Sequence, residues 1–287
     1  MVAPNYVETE TQTLHAKSAG QGMPLVLVPG GLTGWSSWEP HVQRLTANRR
    51  VISVQLLSVA YGLEKRPLPL DYSLRTESRA LEATLDLGLA GLTTPVDLVA
   101  WSYGAAITLD YALRHPERVL TLTLIEPPAV WALGAQKPRG PEYESASALG
   151  NTIDVHDDVS EAQLEQFARA VGLCPPGKAV RDLPQWPVWL RHRQSLCNTG
   201  AAFHHEDDPA RLRAFYRPVL LVKGSGSAEF LHQVVDALAA QLPNAQTVEM
   251  PGGHAPQIVS MDSFLERLAL FHNSAHGLFM SSGGNLC

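Results

Sequence analysis

Apolar residues fall along this chain in two alternating patterns. Short runs at 25–28, 50–56, 96–101, 119–125 and 219–222 are apolar almost throughout, as strands buried on both faces require. Between them apolar residues recur at helical spacing. Ser73 opens a helix with Leu74, Leu81, Leu85 and Leu89 on one side, and Leu231, Val234, Val235 and Leu238 mark a helix over 228–241. Small apolar residues at 105–113 read as a helix packed on a sheet and stopped at His115-Pro116. Ser36 or Ser37, close to Glu39 and Pro40, opens a short helix; a strand at 245–250 and a helix at 262–271 close the series. At the start, 6–17 alternates loosely before Gly20-Gln21-Gly22, as in an antiparallel edge hairpin.

From Pro127 to about Arg213 this rhythm breaks. Pro, Gly and Trp become frequent, and the clearest element is a helix over 161–171. Ser160 and Gln163 form its capping box, Leu164, Phe167, Ala168 and Val171 its buried stripe, and Gly172 its stop. The expected organisation is therefore α/β: a mostly parallel sheet covered by helices on both faces (1–126 and 214–272), a helical insertion (127–213) and a disordered tail (273–287).

Right-handed crossovers place the C-terminal ends of parallel strands along one edge. Gly30-Gly31, Ser102, Glu126, Gly224 and the loop after Met250 all lie at such ends, so residues remote in sequence converge. Ser102 is the centre of that convergence. It stands in Ala100-Trp101-Ser102-Tyr103-Gly104, between an apolar strand and a helix whose N-terminus offers partial positive charge and free N–H groups.

This stretch resembles the nucleophile elbow Gly-x-Ser-x-Gly of the α/β-hydrolase superfamily, with alanine for the first glycine. The resemblance covers roughly two hundred residues, and it implies that fold with an inserted helical cap. It further implies a Ser…acid…His order. His254, in Pro251-Gly252-Gly253-His254-Ala255-Pro256 directly after the last strand, would be the base. The usual acid position, after the strand at 219–222, reads Lys223-Gly224-Ser225-Gly226-Ser227-Ala228-Glu229, with serine where aspartate would fall. Some subfamilies, haloalkane dehalogenases among them, carry the acid one strand earlier. Glu126 stands there and is preferred over Glu229. Pro29-Gly30-Gly31-Leu32 partly matches the oxyanion turn, so the amides of Tyr103 and of Gly31 or Leu32 would hold an oxyanion. After the strand at 50–56 the family's Asp-x-x-Gly-x-Gly-x-Ser is replaced by Gln55-Leu56-Leu57-Ser58-Val59-Ala60-Tyr61-Gly62.

Composition narrows the picture further. A net charge of −6 argues against a nucleic-acid or anionic-membrane surface, and no run reaches the length of a membrane span. Cys174, Cys197 and Cys287 are too few and too scattered for a disulfide framework or a zinc site, and fit free thiols in a reducing compartment. The polar, acidic start shows no signal peptide, so a cytoplasmic enzyme is expected. Adjacent side chains in His204-His205-Glu206-Asp207-Asp208 cannot easily face one ion, which favours a solvated junction over a metal site.

The reading is a serine esterase (Ser102, His254, Glu126) needing neither cofactor nor metal, with a small, largely apolar substrate and a homodimer left open. Trp131, Trp186 and Trp189, with Phe203, are candidates for the pocket wall, or else only pack the cap. A carbon–carbon hydrolase, lyase or cofactor-free oxygenase on the same fold, or a ligand-binding protein of low turnover, stay open as alternatives.

Overall fold

The computed structural model describes residues 12–87, 95–135, 140–153, 158–197 and 200–282. Its strands are β1 (His15–Ala19), β2 (Pro24–Val28), β3 (Arg50–Gln55), β4 (Val96–Trp101), β5 (Val119–Ile125), β6 (Val219–Gly224) and β7 (Ala245–Met250). They form one sheet in the order β1-β3-β2-β4-β5-β6-β7, parallel except for β1. The edge position of β1 agrees with the alternation read there, but its partner is β3 rather than β2, so no hairpin forms with the next strand. Residues 6–11 of that expected hairpin, like Cys287, lie outside the described residues.

The central strands β2, β4, β5 and β6 are largely apolar and buried because both faces are covered, whereas the edge strands β1 and β7 are mostly solvent-facing. Leu25, Leu27, Val99, Trp101, Leu220 and Val222 point to one side, against Trp38 and against Phe264, Leu268 and Phe271. The alternate positions Val26, Val28, Leu98, Ala100 and Leu221 point to the other. The helices of the first half are α1 (Glu39–Leu45), α2 (Leu57–Glu64), α3 (Leu74–Leu87) and α4 (Tyr103–Arg114). Between β5 and β6 lie α5 (Pro141–Ile153), α6 (Glu161–Ala170), α7 (Trp186–His192), α8 (Ala201–His204) and α9 (Pro209–Arg213). The capping box of α6 is formed as its sequence suggests. The chain closes with α10 (Glu229–Gln241), α11 (Pro256–Val259) and α12 (Met261–Ser282). No helix among the described residues is long and apolar enough to cross a membrane.

Helix α2 replaces the glycine-rich family stretch. Its first turn lacks a cap of its own, and Glu77 of α3 supplies one, accepting from the amides of Leu57 at 2.9 Å and Ser58 at 2.7 Å.

The disordered tail expected over 273–287 is corrected for 273–282, where α12 continues to Ser282; residues 283–287, and Leu89 of the helix expected from Ser73, lie outside the described residues. What holds α12 is polar and invisible to apolar periodicity. Asp97, fully buried at the start of β4, accepts from Arg49 at 2.5 Å, from Thr121 at 2.7 Å and from His276 at 3.1 Å. His272 stacks on His276 at 5.6 Å and accepts from Arg49 through Nδ1. The helix therefore brings donors to a carboxylate that the sheet would otherwise leave short of partners.

Burial pushes the His272 imidazole down to about 4, against the opposing pull of Asp97, whose own carboxyl is held below its usual range by His272, Thr121 and His276 despite burial. The unfolded chain therefore binds the extra His272 proton below about pH 6.5 while the folded chain resists it until about pH 4. Melting temperature should fall as pH drops from 6.5 to 4, and His272→Gln, which keeps an acceptor for Arg49, should flatten that dependence. A wild-type melting temperature constant across this window would remove His272 as the cause.

Candidate active site

Every parallel strand of the central sheet ends at the same edge, and the loops there carry the candidate residues. Ser102 follows β4 at φ 55°, ψ −126°, a conformation sterically costly for any residue but glycine. It is held by its amide, which donates to Ile125 O at 2.8 Å, and by its carbonyl, which accepts from Ala105 and Ala106. The tight turn needs Gly104, since a Cβ there would lie 2.1 Å from Pro29 O. The substitution of Ala100 for the family glycine is accommodated in the core between strands.

Glu126 follows β5 and also adopts a left-handed φ, 47°. Its amide donates to Val222 O at 3.0 Å, carrying the β5–β6 ladder one residue past the strand. The side chain is fully buried. Oε1 accepts from the Gly224 amide at 2.7 Å and Oε2 from the Ser227 hydroxyl at 2.5 Å. The same Oε2 meets His254 Nδ1 at 2.7 Å, and His254 Nε2 meets Ser102 Oγ at 2.7 Å. Ser102, His254 and Glu126 are thus one continuous chain of hydrogen bonds. Glu229, by contrast, is exposed in the first turn of α10.

His254 is placed by its backbone. Its amide donates to Gly172 O at 3.2 Å, and its carbonyl accepts from the indole of Trp101 at 2.6 Å. Gly172 ends the α6 segment, and a Cβ on Gly253 would lie 1.8 Å from its carbonyl. The glycines of the histidine loop thus permit the insertion to pack directly on main chain.

A cavity with about 600 Å³ of atom-free space, partly open to solvent, lies over Ser102. Gly31, Leu32 and Tyr103 line it next to Ser102 and His254. Apolar side chains form the rest of the wall, chiefly Phe167, Leu173, Trp189, Leu196, Phe203 and Phe230. Of the three tryptophans expected there, only Trp189 is in the wall. Trp131 is buried in the core, and Trp186, one turn before Trp189, packs under the Arg181 guanidinium, 5.6 Å from its ring. Phe167 and Val171 had shown themselves only as a buried helical stripe; that stripe also faces the cavity.

Two contacts join the insertion to the turn after β2. Ser195 Oγ shares its proton between Leu32 O at 2.8 Å and His192 O at 2.6 Å, and Gly62 of α2 lies so close that a Cβ would meet the Ser195 amide nitrogen at 2.6 Å. The Tyr103 phenol lies in a buried polar chain on the other side of the elbow, 2.9 Å from the Tyr72 phenol, which donates to Glu77 at 2.8 Å. Burial pushes all three groups up, both phenols well above their usual range. They remain neutral phenols at ordinary pH, which fixes the residue after Ser102.

The His204–Asp208 run is less solvated than expected. Asp110, His205 and Asp207 offer ligand atoms within 4.8 Å of one another. Their charges are already met: Arg75 and Arg114 bind Asp110, and Arg211 binds Asp207 at 2.7 Å. A cation would have to displace guanidinium groups, so the cluster reads as an ion-paired joint.

The alpha/beta hydrolase family model matches residues 25–267. The chain belongs to this family. It is 36% identical over 276 residues to a 2-hydroxy-6-oxo-2,4-heptadienoate hydrolase from Pseudomonas putida, covering 84% of this chain and 96% of that one. It is 27% identical over 219 residues to a pimeloyl-[acyl-carrier protein] methyl ester esterase from Neisseria meningitidis, covering 71% and 64%. Among solved structures, a thermophilic esterase from Thermogutta terrifontis superposes with a TM-score of 0.69 at 19% identity, covering 92% of this chain and 94% of that chain. Membership in the alpha/beta hydrolase family makes the protein a hydrolase, and its fold is that of the family.

If the cavity receives substrate, Trp189→Ala should change the preference for acyl-chain length in kcat/KM, whereas Trp186→Ala should mainly lower the melting temperature. Equal effects of the two on chain-length preference would contradict this division of the wall.

Proposed function

We propose that this hydrolase is a serine esterase, cleaving an ester or related acyl bond of a small, uncharged, largely apolar substrate through an acyl-enzyme. The observation that carries the reading is the continuous Ser102–His254–Glu126 chain, two contacts of 2.7 Å, opening on an apolar cavity. Ser102 Oγ attacks the carbonyl carbon while His254 Nε2 takes its proton. Amides of Tyr103 and of Gly31 or Leu32 receive the oxyanion, and among the described residues no main-chain acceptor occupies them. The tetrahedral adduct collapses as His254 returns the proton to the departing alkoxide. Water, deprotonated by His254, then attacks the acyl carbon and frees Ser102. Glu126 keeps Nδ1 protonated and stabilises the imidazolium formed in each half-reaction.

A second reading, a carbon–carbon hydrolase, is favoured by the likeness to the heptadienoate hydrolase. The substrate of that name is a carboxylate. Among the described residues the cavity wall contains neither Arg nor Lys, so no guanidinium or ammonium group offsets such a charge on entering a largely apolar site. An uncharged ester suits it better.

A fluorophosphonate should label Ser102, and Ser102→Ala should abolish both labelling and hydrolysis of p-nitrophenyl esters. Glu126→Gln should lower kcat by about 10³ to 10⁴, the scale for losing a triad acid with the geometry kept, while Glu229→Gln stays within a few-fold of wild type. The same enzyme offered a 2-hydroxy-6-oxo dienoate should turn it over far more slowly than the esters. Faster cleavage of the dienoate would transfer the assignment to the carbon–carbon reading, and full ester turnover by Ser102→Ala would remove the mechanism.

A further inference from the structure

We propose that Ser227 is a positioning residue for this hydrolysis, setting the orientation of Glu126; the inference rests on the serine-hydrolase reading above. Ser227 occupies the sequence position at which the family resemblance would place aspartate. Its hydroxyl donates to Glu126 Oε2 at 2.5 Å, the oxygen that also meets His254 Nδ1 at 2.7 Å. The position thus still serves the histidine, through the carboxylate that replaced its own.

The geometry gives the hydroxyl a definite task. The terminal torsion of a glutamate is broad, so one hydrogen bond does not fix the carboxylate plane. Gly224 N–H holds Oε1 and Ser227 O–H holds Oε2, which leaves the plane no freedom to turn from His254. Ser227 itself is held by main chain. Ser225 N–H bonds Met250 O at 2.8 Å, Gly226 N–H bonds Gly252 O at 2.7 Å, and Ser227 N–H bonds Gly224 O at 3.0 Å. The serine loop and the histidine loop form one hydrogen-bonded unit, and their side chains inherit that registry. Ser227 does not line the cavity, so it acts on the reaction and not on substrate binding.

Glu126 has no exposed surface, so its carboxylate depends on the donors that the protein supplies. Removing the hydroxyl leaves the carboxylate one donor short and its plane free to turn away from His254 Nδ1. Titratable groups near this unit include Lys223 and Glu249 on β6 and β7, Glu229, His232 and Asp236 on α10, and Cys174 beyond Gly172. His232 bonds the Gly224 carbonyl at 2.8 Å, and Lys223 pairs with Asp236 at 2.9 Å. None of the six bonds Glu126 or His254 directly among the described residues, so the hydroxyl is the group to alter.

The test compares Ser227→Ala with the isosteric pair Ser227→Thr and Ser227→Val, which differ only in the hydroxyl, using a p-nitrophenyl ester. Ala and Val should lower kcat about tenfold, with KM unchanged. Thr should keep both at wild-type values. Melting curves and fluorophosphonate labelling confirm that each variant is folded, and the Thr/Val comparison stands even if Ala is unstable. Identical kcat for folded Thr and Val variants would overturn the role of Ser227 alone. Turnover retained by Ser102→Ala, run in parallel, would overturn the serine-hydrolase reading and this inference with it.

Discussion

A carboxylate with no exposed surface must find all its hydrogen bonds within the protein, and Glu126 does so at the point where three strand ends meet. Its left-handed backbone turns the chain off β5 at once. Its oxygens then collect the Gly224 amide from the last residue of β6, the Ser227 hydroxyl from the loop after it, and the His254 imidazole from beyond β7. Withdraw that charge and the two loops lose their common acceptor, and the imidazole loses the group that fixes its tautomer. The short, glycine-rich character of both loops follows from this: anything bulkier would hold their main chains apart, as the contact between Gly224 and Gly253 shows, where a Cβ would lie 2.1 Å from a carbonyl oxygen.

The sheet was legible because a doubly covered parallel strand is apolar along nearly its whole length: β2 throughout, β4 but for Asp97, β5 but for Thr121 and Thr123, and β6 as far as Lys223. The places of Ser102, Glu126 and His254 could be read for a related reason, since topology alone brings the ends of parallel strands to one edge. Other features lay outside that logic. Helix α2 is capped by Glu77, twenty residues downstream of Leu57, and local capping signals do not reach so far. The end of α12 is held by a buried Asp97, a polar contact that leaves no period in the sequence. The tryptophans of the insertion were ambiguous because burial in a core and exposure to a cavity select the same side chains. Position on a helix separates Trp189 from Trp186, and that needs coordinates.

The two ends of the sheet are built on the same physical device with opposite purpose. At the C-terminal edge a buried acid orders loops around a histidine that contacts a serine hydroxyl. At the other end Asp97 gathers Arg49, Thr121 and His276 into an anchor remote from the cavity. Buried charge of this kind contributes little net stability compared with an apolar replacement, but it is severe on any arrangement that leaves it unpaired. It therefore selects one docking of α12 and one arrangement of the site loops.

The hydroxyl of Ser195 on the Leu32 carbonyl, with Gly62 pressed beneath it, makes the insertion and the turn after β2 a single mechanical body. Such a cap is not an interchangeable module. A segment grafted from another family member would meet the core at Gly62, at Leu32 and at the Gly172–Gly253 contact, and would have to match all three to leave the site undisturbed. A change at a single wall residue such as Trp189 or Phe203 leaves these three contacts in place, whereas exchange of the whole insertion has to rebuild them all.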